Sequence, residues 1–156
     1  MTLPNRKKQR LEGFDYSSEN YYFITICTNN KKKLFGDPGN LNVFGEIAKE
    51  RLLDIPNHHQ GVKIDKFVIM PNHVHAIVVL GCTGKIPDHK IPNLSVVIGS
   101  YKSGVTREIH RYEPEIEVWQ SSFNEHIIRN NDDYSSIWRY IDRNPERWNE
   151  DGMYDQ

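Results

Sequence analysis

No apolar run in this chain of 156 residues reaches the roughly 20 residues needed to cross a bilayer. The first residues show no charged-then-apolar signal pattern either, so a cytoplasmic protein with no membrane partner is expected. Cysteine is scarce. Cys27 and Cys82 stand far apart with neither metal nor redox spacing, which argues against a disulfide scaffold and leaves two reduced thiols. There is no internal repeat, no low-complexity segment and no sign of a second domain. One domain spanning 1–156 is therefore expected, long enough to bury about two-thirds of its unfolded surface. The acidic residues are scattered rather than clustered, and the net charge is only −1.

That small net charge hides an asymmetry. Residues 1–33 carry seven cationic side chains (Arg6, Lys7, Lys8, Arg10, Lys31, Lys32, Lys33) against three acids, whereas the remainder carries 13 against 18. A basic arm over 1–19 on a mildly acidic body suits a polyanion, most simply nucleic acid. A solubilising terminus has the same composition, and charge alone does not separate the two.

The chain reads as alternating strands and helices. Asn20–Thr28 is aromatic and β-branched and predicts a central strand. Residues 29–42 are polar and punctuated by Gly and Pro, hence a loop. Val43–Ile55 has near-helical apolar spacing and stops at Pro56. Val62–Met70 is a second strand, and Pro71-Asn72 turns the chain into a third. A loop over 81–93 precedes a helix over 94–111. A less regular strand over 117–128 and a last helix over 132–148, ended or bent by Pro145, complete the pattern. This β-α-β-β-α-β order predicts an α+β fold of ferredoxin-like or RRM-like type. In that split β-α-β plan a four-stranded antiparallel sheet carries helices on one face, leaving the other face free to bind, with a C-terminal helix added.

The third strand carries the chemistry. Val68-Ile69-Met70-Pro71-Asn72-His73-Val74-His75-Ala76-Ile77-Val78-Val79 places two histidines two residues apart in an otherwise inert β-branched run. Strand alternation points His73 and His75 the same way, with Val74 and Ala76 in the opposite layer. Paired imidazoles can pincer a divalent cation, although a third ligand must come from elsewhere. Two unrelated histidines on a half-exposed strand would look the same. In the last helix Tyr140 and Asn144 are four apart and share a face. A deprotonated phenol is a competent nucleophile, an amide oxygen can reach a cation, and together with the histidines they would make a metal-assisted nuclease site. On spacing alone, Tyr140 also fits an ordinary amphipathic helix.

Taken in order, several segments are similar to one family. They are Leu11-Glu12-Gly13-Phe14-Asp15-Tyr16, Tyr22-Phe23-Ile24-Thr25-Ile26-Cys27, Leu34-Phe35-Gly36, Met70-Pro71-Asn72-His73-Val74-His75 and Ser100-Tyr101-Lys102-Ser103. Trp119-Gln120, Glu125-His126-Ile127-Ile128-Arg129 and Tyr140-Ile141-Asp142-Arg143-Asn144-Pro145 follow. Over nearly its whole length the chain resembles the single-tyrosine transposases of the HUH endonuclease class, and within them the REP-associated tyrosine transposases. The resemblance implies that His73 and His75 are metal ligands, Tyr140 the nucleophile and Asn144 the third ligand, at a position where the wider class commonly has Gln. It implies Mg²⁺ or Mn²⁺ as cofactor and single-stranded or hairpin DNA as partner. Strands would be nicked and rejoined through a 5′-phosphotyrosine near palindromic hairpins, by a monomer or a homodimer. Arg6, Lys7, Lys8 and Arg10, with Lys102, Arg107 and Arg129, are the candidate DNA contacts. Ser121-Ser122-Phe123-Asn124 departs from relatives, which usually have an Arg or Asn and then paired tyrosines.

Three rival readings remain at this level: a non-catalytic nucleic-acid module of RRM-like fold, a structural zinc protein using His73, His75 and a cysteine, and a rolling-circle initiator or relaxase-like nicking enzyme.

Overall fold

The computed structural model describes residues 20–81 and 92–148. The basic arm, including Arg6, Lys7, Lys8 and Arg10, lies outside the described residues, as does Cys82. In chain order the elements are β1 (Asn20–Cys27), a small hairpin of β2 (Gly36–Asp37) and β3 (Asn40–Leu41), α1 (Val43–Leu53) and a single turn α2 (Ile55–His58). Then come β4 (Val62–Met70), β5 (His73–Leu80), α3 (Leu94–Ile109), β6 (Asn124–Ile128) and α4 (Asn131–Arg143).

The main sheet has the order β4-β5-β1-β6, with every neighbouring pair antiparallel. This is the split β-α-β arrangement expected from the sequence. Strand alternation then sorts side chains into two layers. Tyr22, Ile24 and Ile26 of β1 with Val74, Ala76, Val78 and Leu80 of β5 face α1 and α3 and form the larger core. Tyr101 donates from its hydroxyl to the Ala48 carbonyl at 2.9 Å, and Arg51 pairs with Glu108, so α1 and α3 lock together over that face.

The other face is not left open. Tyr21 of β1, Ile77 and Val79 of β5 and Ile128 of β6 bury against Ile141 of α4, with Phe23, Val68, Tyr134 and Ile137 alongside. Tyr134, Ile137 and Ile141 fall on one helical stripe, and a stripe of that kind must find an apolar surface. Here it takes the sheet face that the α1–α3 layer leaves uncovered, which corrects the expectation of a free face. Polar ties hold the same helix to β4. Lys66 Nζ lies 2.8 Å from Asp142 Oδ1 and 3.9 Å from the centre of the Trp138 ring, and the Tyr134 hydroxyl donates to Asp65 Oδ2 at 2.5 Å.

Two elements are shorter than their patterns suggest. The strand read over 117–128 forms only from Asn124. Before it, Trp119 makes one isolated bridge to Thr28, and Lys102 donates from its ammonium to the carbonyls of Gln120 (2.8 Å) and Ser122 (3.4 Å). Carbonyls turned toward Lys102 are lost to a ladder. The last helix ends at Arg143, because Pro145 has no N–H to extend it. Asn144 remains in helical geometry at its C-cap, and a further turn follows, with Arg147 N–H donating to Arg143 O at 3.1 Å.

Candidate active site

All eight residues of β5 are buried, and its two histidines share the α4 side of the sheet. Their ring centres are 4.5 Å apart. Each ring is oriented from behind by a neighbour. The Asn72 amide donates to the Lys31 carbonyl at 3.3 Å, which turns its Oδ1 toward His73 Nδ1 at 2.7 Å. An amide oxygen only accepts, so His73 carries its proton on Nδ1 and keeps a lone pair on buried Nε2. Thr25 sits directly opposite His75 in the β1–β5 register, with Oγ1 3.0 Å from His75 Nδ1. His75 also has a hydrogen bond to the Ile24 backbone that favours the charged ring, whereas its Nε2 makes none. The proton is thus on Nδ1, and His75 Nε2 is a buried, unsatisfied acceptor.

α4 brings Tyr140 to this pair. Its ring centre lies 5.3 Å from that of His75 and 6.2 Å from that of Phe23, edge-on to both. One turn later Asn144 is 1% exposed. Its Nδ2 donates to the Tyr140 carbonyl at 3.2 Å, which leaves Oδ1 buried without a hydrogen bond. Trp148 follows another turn on, stacked 6.3 Å from His73. A buried acceptor without a partner costs about 1–3 kcal/mol. Such acceptors on His75 and Asn144, beside the His73 lone pair, are what an open three-ligand cation site requires. Two imidazole nitrogens and one amide oxygen suit a borderline divalent ion with positions left for other oxygens.

The IS200-like transposase family matches residues 16–144. The chain belongs to that family. An uncharacterized protein of Haemophilus influenzae is 38% identical to this transposase-family chain over 170 aligned positions, covering 97% of this chain and 94% of the relative. Two solved structures share the fold. One is a REP-associated tyrosine transposase bound to a REP hairpin, with a TM-score of 0.58 at 20% identity, covering 88% of this chain and 73% of that one. The other, described as a transposase of Deinococcus radiodurans, has a TM-score of 0.55 at 16% identity, covering 85% and 94%.

Among the expected DNA contacts of this transposase-family chain, Lys102 and Arg107 lie on α3, across the sheet from His73 and His75. The Lys102 ammonium is already engaged with the two carbonyls described above, while Arg107 is exposed. Arg129 is exposed just before the N-cap of α4. None of the three is brought to the histidine pair. Sequence reading missed Asn72, which it took only as a turn residue, along with Thr25, Phe23 and Trp148. The alternation of β1 was the available signal for Thr25 and Phe23, because both share the phase of Tyr21 rather than that of Ile24.

Burial, then the neighbouring His73, pushes His75 down to about 3 from its ordinary 6.5. Above pH 6.5 both the folded and unfolded chains carry a neutral His75, and its contribution is fully present. As pH falls from 6.5 toward 3, only the unfolded chain takes up the proton, and stability falls by at most about 1.4 kcal/mol per pH unit. Urea unfolding of the cation-free protein in chelator should therefore show about 2 kcal/mol less stability at pH 5 than at pH 7.5 from this group. A His75→Leu variant should show a correspondingly flatter dependence.

Proposed function

We propose that this transposase-family protein nicks and rejoins single-stranded DNA beside palindromic hairpins, with Tyr140 as nucleophile and a divalent cation, Mg²⁺ or Mn²⁺, held by His73, His75 and Asn144. The observation carrying this reading is the edge-on contact of Tyr140 with His75, where His75 Nε2 and Asn144 Oδ1 are both buried acceptors lacking hydrogen bonds. The REP hairpin seen with the structural relative supports hairpin DNA as substrate.

The Tyr140 oxygen attacks the scissile phosphorus in line. A bond forms between that oxygen and phosphorus, and the bond from phosphorus to the 3′ oxygen breaks. The phenol proton leaves, the departing 3′ oxygen gains one, and the strand's 5′ phosphate stays on the tyrosine. Attack by a 3′-hydroxyl reverses the step, so strands are rejoined without outside energy. Bound at the three ligand atoms, the cation supplies Lewis acidity toward the phosphate oxygens. His73 and His75 hold their lone pairs in fixed directions because Asn72, Ile24 and Thr25 orient the rings. Phe23 and His75 wall the Tyr140 ring so that the phenol needs little reorganisation.

The zinc reading finds less support. Cys27 lies opposite His73 in register and is buried, but no three His, Cys, Asp or Glu side chains cluster for a metal among the described residues. The direct test incubates the protein with Mn²⁺ or Mg²⁺ and a labelled hairpin oligonucleotide carrying a single-stranded flank. A denaturation-resistant adduct mapping to Tyr140 by peptide mass is expected. An adduct at another residue, or strand cleavage with no adduct, would overturn the reading.

A further inference from the structure

α4 and the turn that prolongs it present the site from one line of positions four apart: Tyr140, Asn144 and Trp148. The line beside it holds three arginines at the same spacing, Arg139, Arg143 and Arg147. The Arg147 N–H bond to Arg143 O continues the helical spacing through the turn. At about 100° per residue the remaining flanks are accounted for. Tyr134, Ile137 and Ile141 face the sheet, and Trp138 and Asp142 are tied to Lys66 of β4. That leaves the arginines on the solvent side of the site, and all three are exposed.

Charge on the helix favours an outside partner. Asp142 is taken by Lys66 and Asp133 by His126, and among the described residues Arg139 and Arg143 take part in no salt bridge. Two exposed acids border the line, Asp132 two turns before Arg139 and Glu146 three residues after Arg143 on the flank away from Tyr140 and Asn144. Successive guanidiniums rise by about 6 Å along the axis, parallel to the line that carries the nucleophile. Each offers a planar fork of donors matched to phosphate oxygens.

We infer that Arg139 and Arg143 form a track for the phosphodiester backbone of the single strand, gripping phosphates next to the one that Tyr140 attacks. This inference rests on the nicking assignment above. A strand that seats one phosphate at Tyr140 lays its neighbours along this track. The grip is electrostatic and independent of base identity, so sequence choice is made elsewhere.

The test measures binding of a single-stranded oligonucleotide across a salt series, for wild type, for Arg139→Gln/Arg143→Gln, and for the charge-matched Lys49→Gln/Arg111→Gln on the α1–α3 side of the sheet. Each phosphate contact contributes about 0.7 to the slope of log affinity against log salt for a single strand. The Arg139/Arg143 variant should be shallower by about 1.4, bind about tenfold or more weakly at low salt, and unfold at the wild-type temperature. The Lys49/Arg111 variant should keep the wild-type slope. An unchanged slope in the Arg139/Arg143 variant, or an equal loss in both variants, overturns the track. If the wild type forms the Tyr140 adduct while the Arg139/Arg143 slope is unchanged, the track fails and the nicking assignment stands. A wild type that binds with no salt slope also overturns the track, and absence of the Tyr140 adduct in the hairpin assay is what removes the nicking assignment.

Discussion

Tyr140→Phe is expected to abolish adduct formation and strand cleavage while leaving folding and DNA binding nearly untouched. The substitution deletes one oxygen and keeps the ring that packs edge-on against His75 and Phe23. The half-buried position loses no apolar area, so the thermal midpoint should stay within about 2 °C of wild type. Removing a nucleophile that acts together with the groups around it has cost about 10⁶ in kcat in a well-studied protease. A fall of at least 10³ is expected here, set mostly by the detection limit. The dissociation constant for uncleaved hairpin should move less than about threefold, because the proposed phosphate contacts are left unchanged. Denaturing gels for the adduct and fluorescence anisotropy for binding read the two quantities separately. Cleavage by the Phe variant at even a hundredth of the wild-type rate would mean that another group attacks phosphorus. A purely binding RRM-like module predicts no difference in any readout.

The second large effect separates stability from activity. His75→Leu should eliminate cleavage and yet, with cation removed, make the protein more stable. Wild type buries an imidazole whose Nε2 has no hydrogen bond, at a cost of about 1–3 kcal/mol. Leucine fills similar space without that penalty, although Thr25 and the Ile24 backbone lose their hydrogen bonds to the ring in exchange. A net gain of about 1 kcal/mol, or roughly 2–4 °C in midpoint, is expected in chelator. Added Mn²⁺ should then reverse the order. A cation at 100 times its dissociation constant stabilises wild type by about 2.7 kcal/mol, and it should do nothing for the variant. Differential scanning fluorimetry with and without Mn²⁺ distinguishes all four states. A His75→Leu protein that is less stable in chelator would show the imidazole to be a satisfied core residue. One that still gains stability from Mn²⁺ would place the cation elsewhere.

Much of this arrangement was legible before any coordinates. Period-two alternation put His73 and His75 on one face, and the four-residue spacing put Asn144 a turn from Tyr140. What spacing could not tell was which surface the α4 stripe would choose. That depends on Tyr21, Ile77, Val79 and Ile128, which come together only once strands from three parts of the chain are paired. The same limit hid Asn72. Its amide is turned by the Lys31 carbonyl, 41 positions away, so nothing local marks it as more than a turn residue. The overlong strand over 117–128 failed for a related reason. Val118 and Trp119 are apolar because they pack into the larger core, not because they pair continuously, and Lys102 diverts the carbonyls that follow.

The order of elements along the chain has a consequence for synthesis. Proteins leave the ribosome N-terminus first, and Tyr140 lies 65 positions after His75. Under the proposed assignment, the cation ligands of β5 are made well before the nucleophile, and a nascent chain that ends before about residue 144 would lack part of the cutting machinery. Until α4 docks, Tyr21, Ile77, Val79 and Ile128 lie bare on the sheet. A prematurely terminated product would carry that sticky patch without any activity, which marks it for proteolysis or aggregation rather than for stray breaks in the genome.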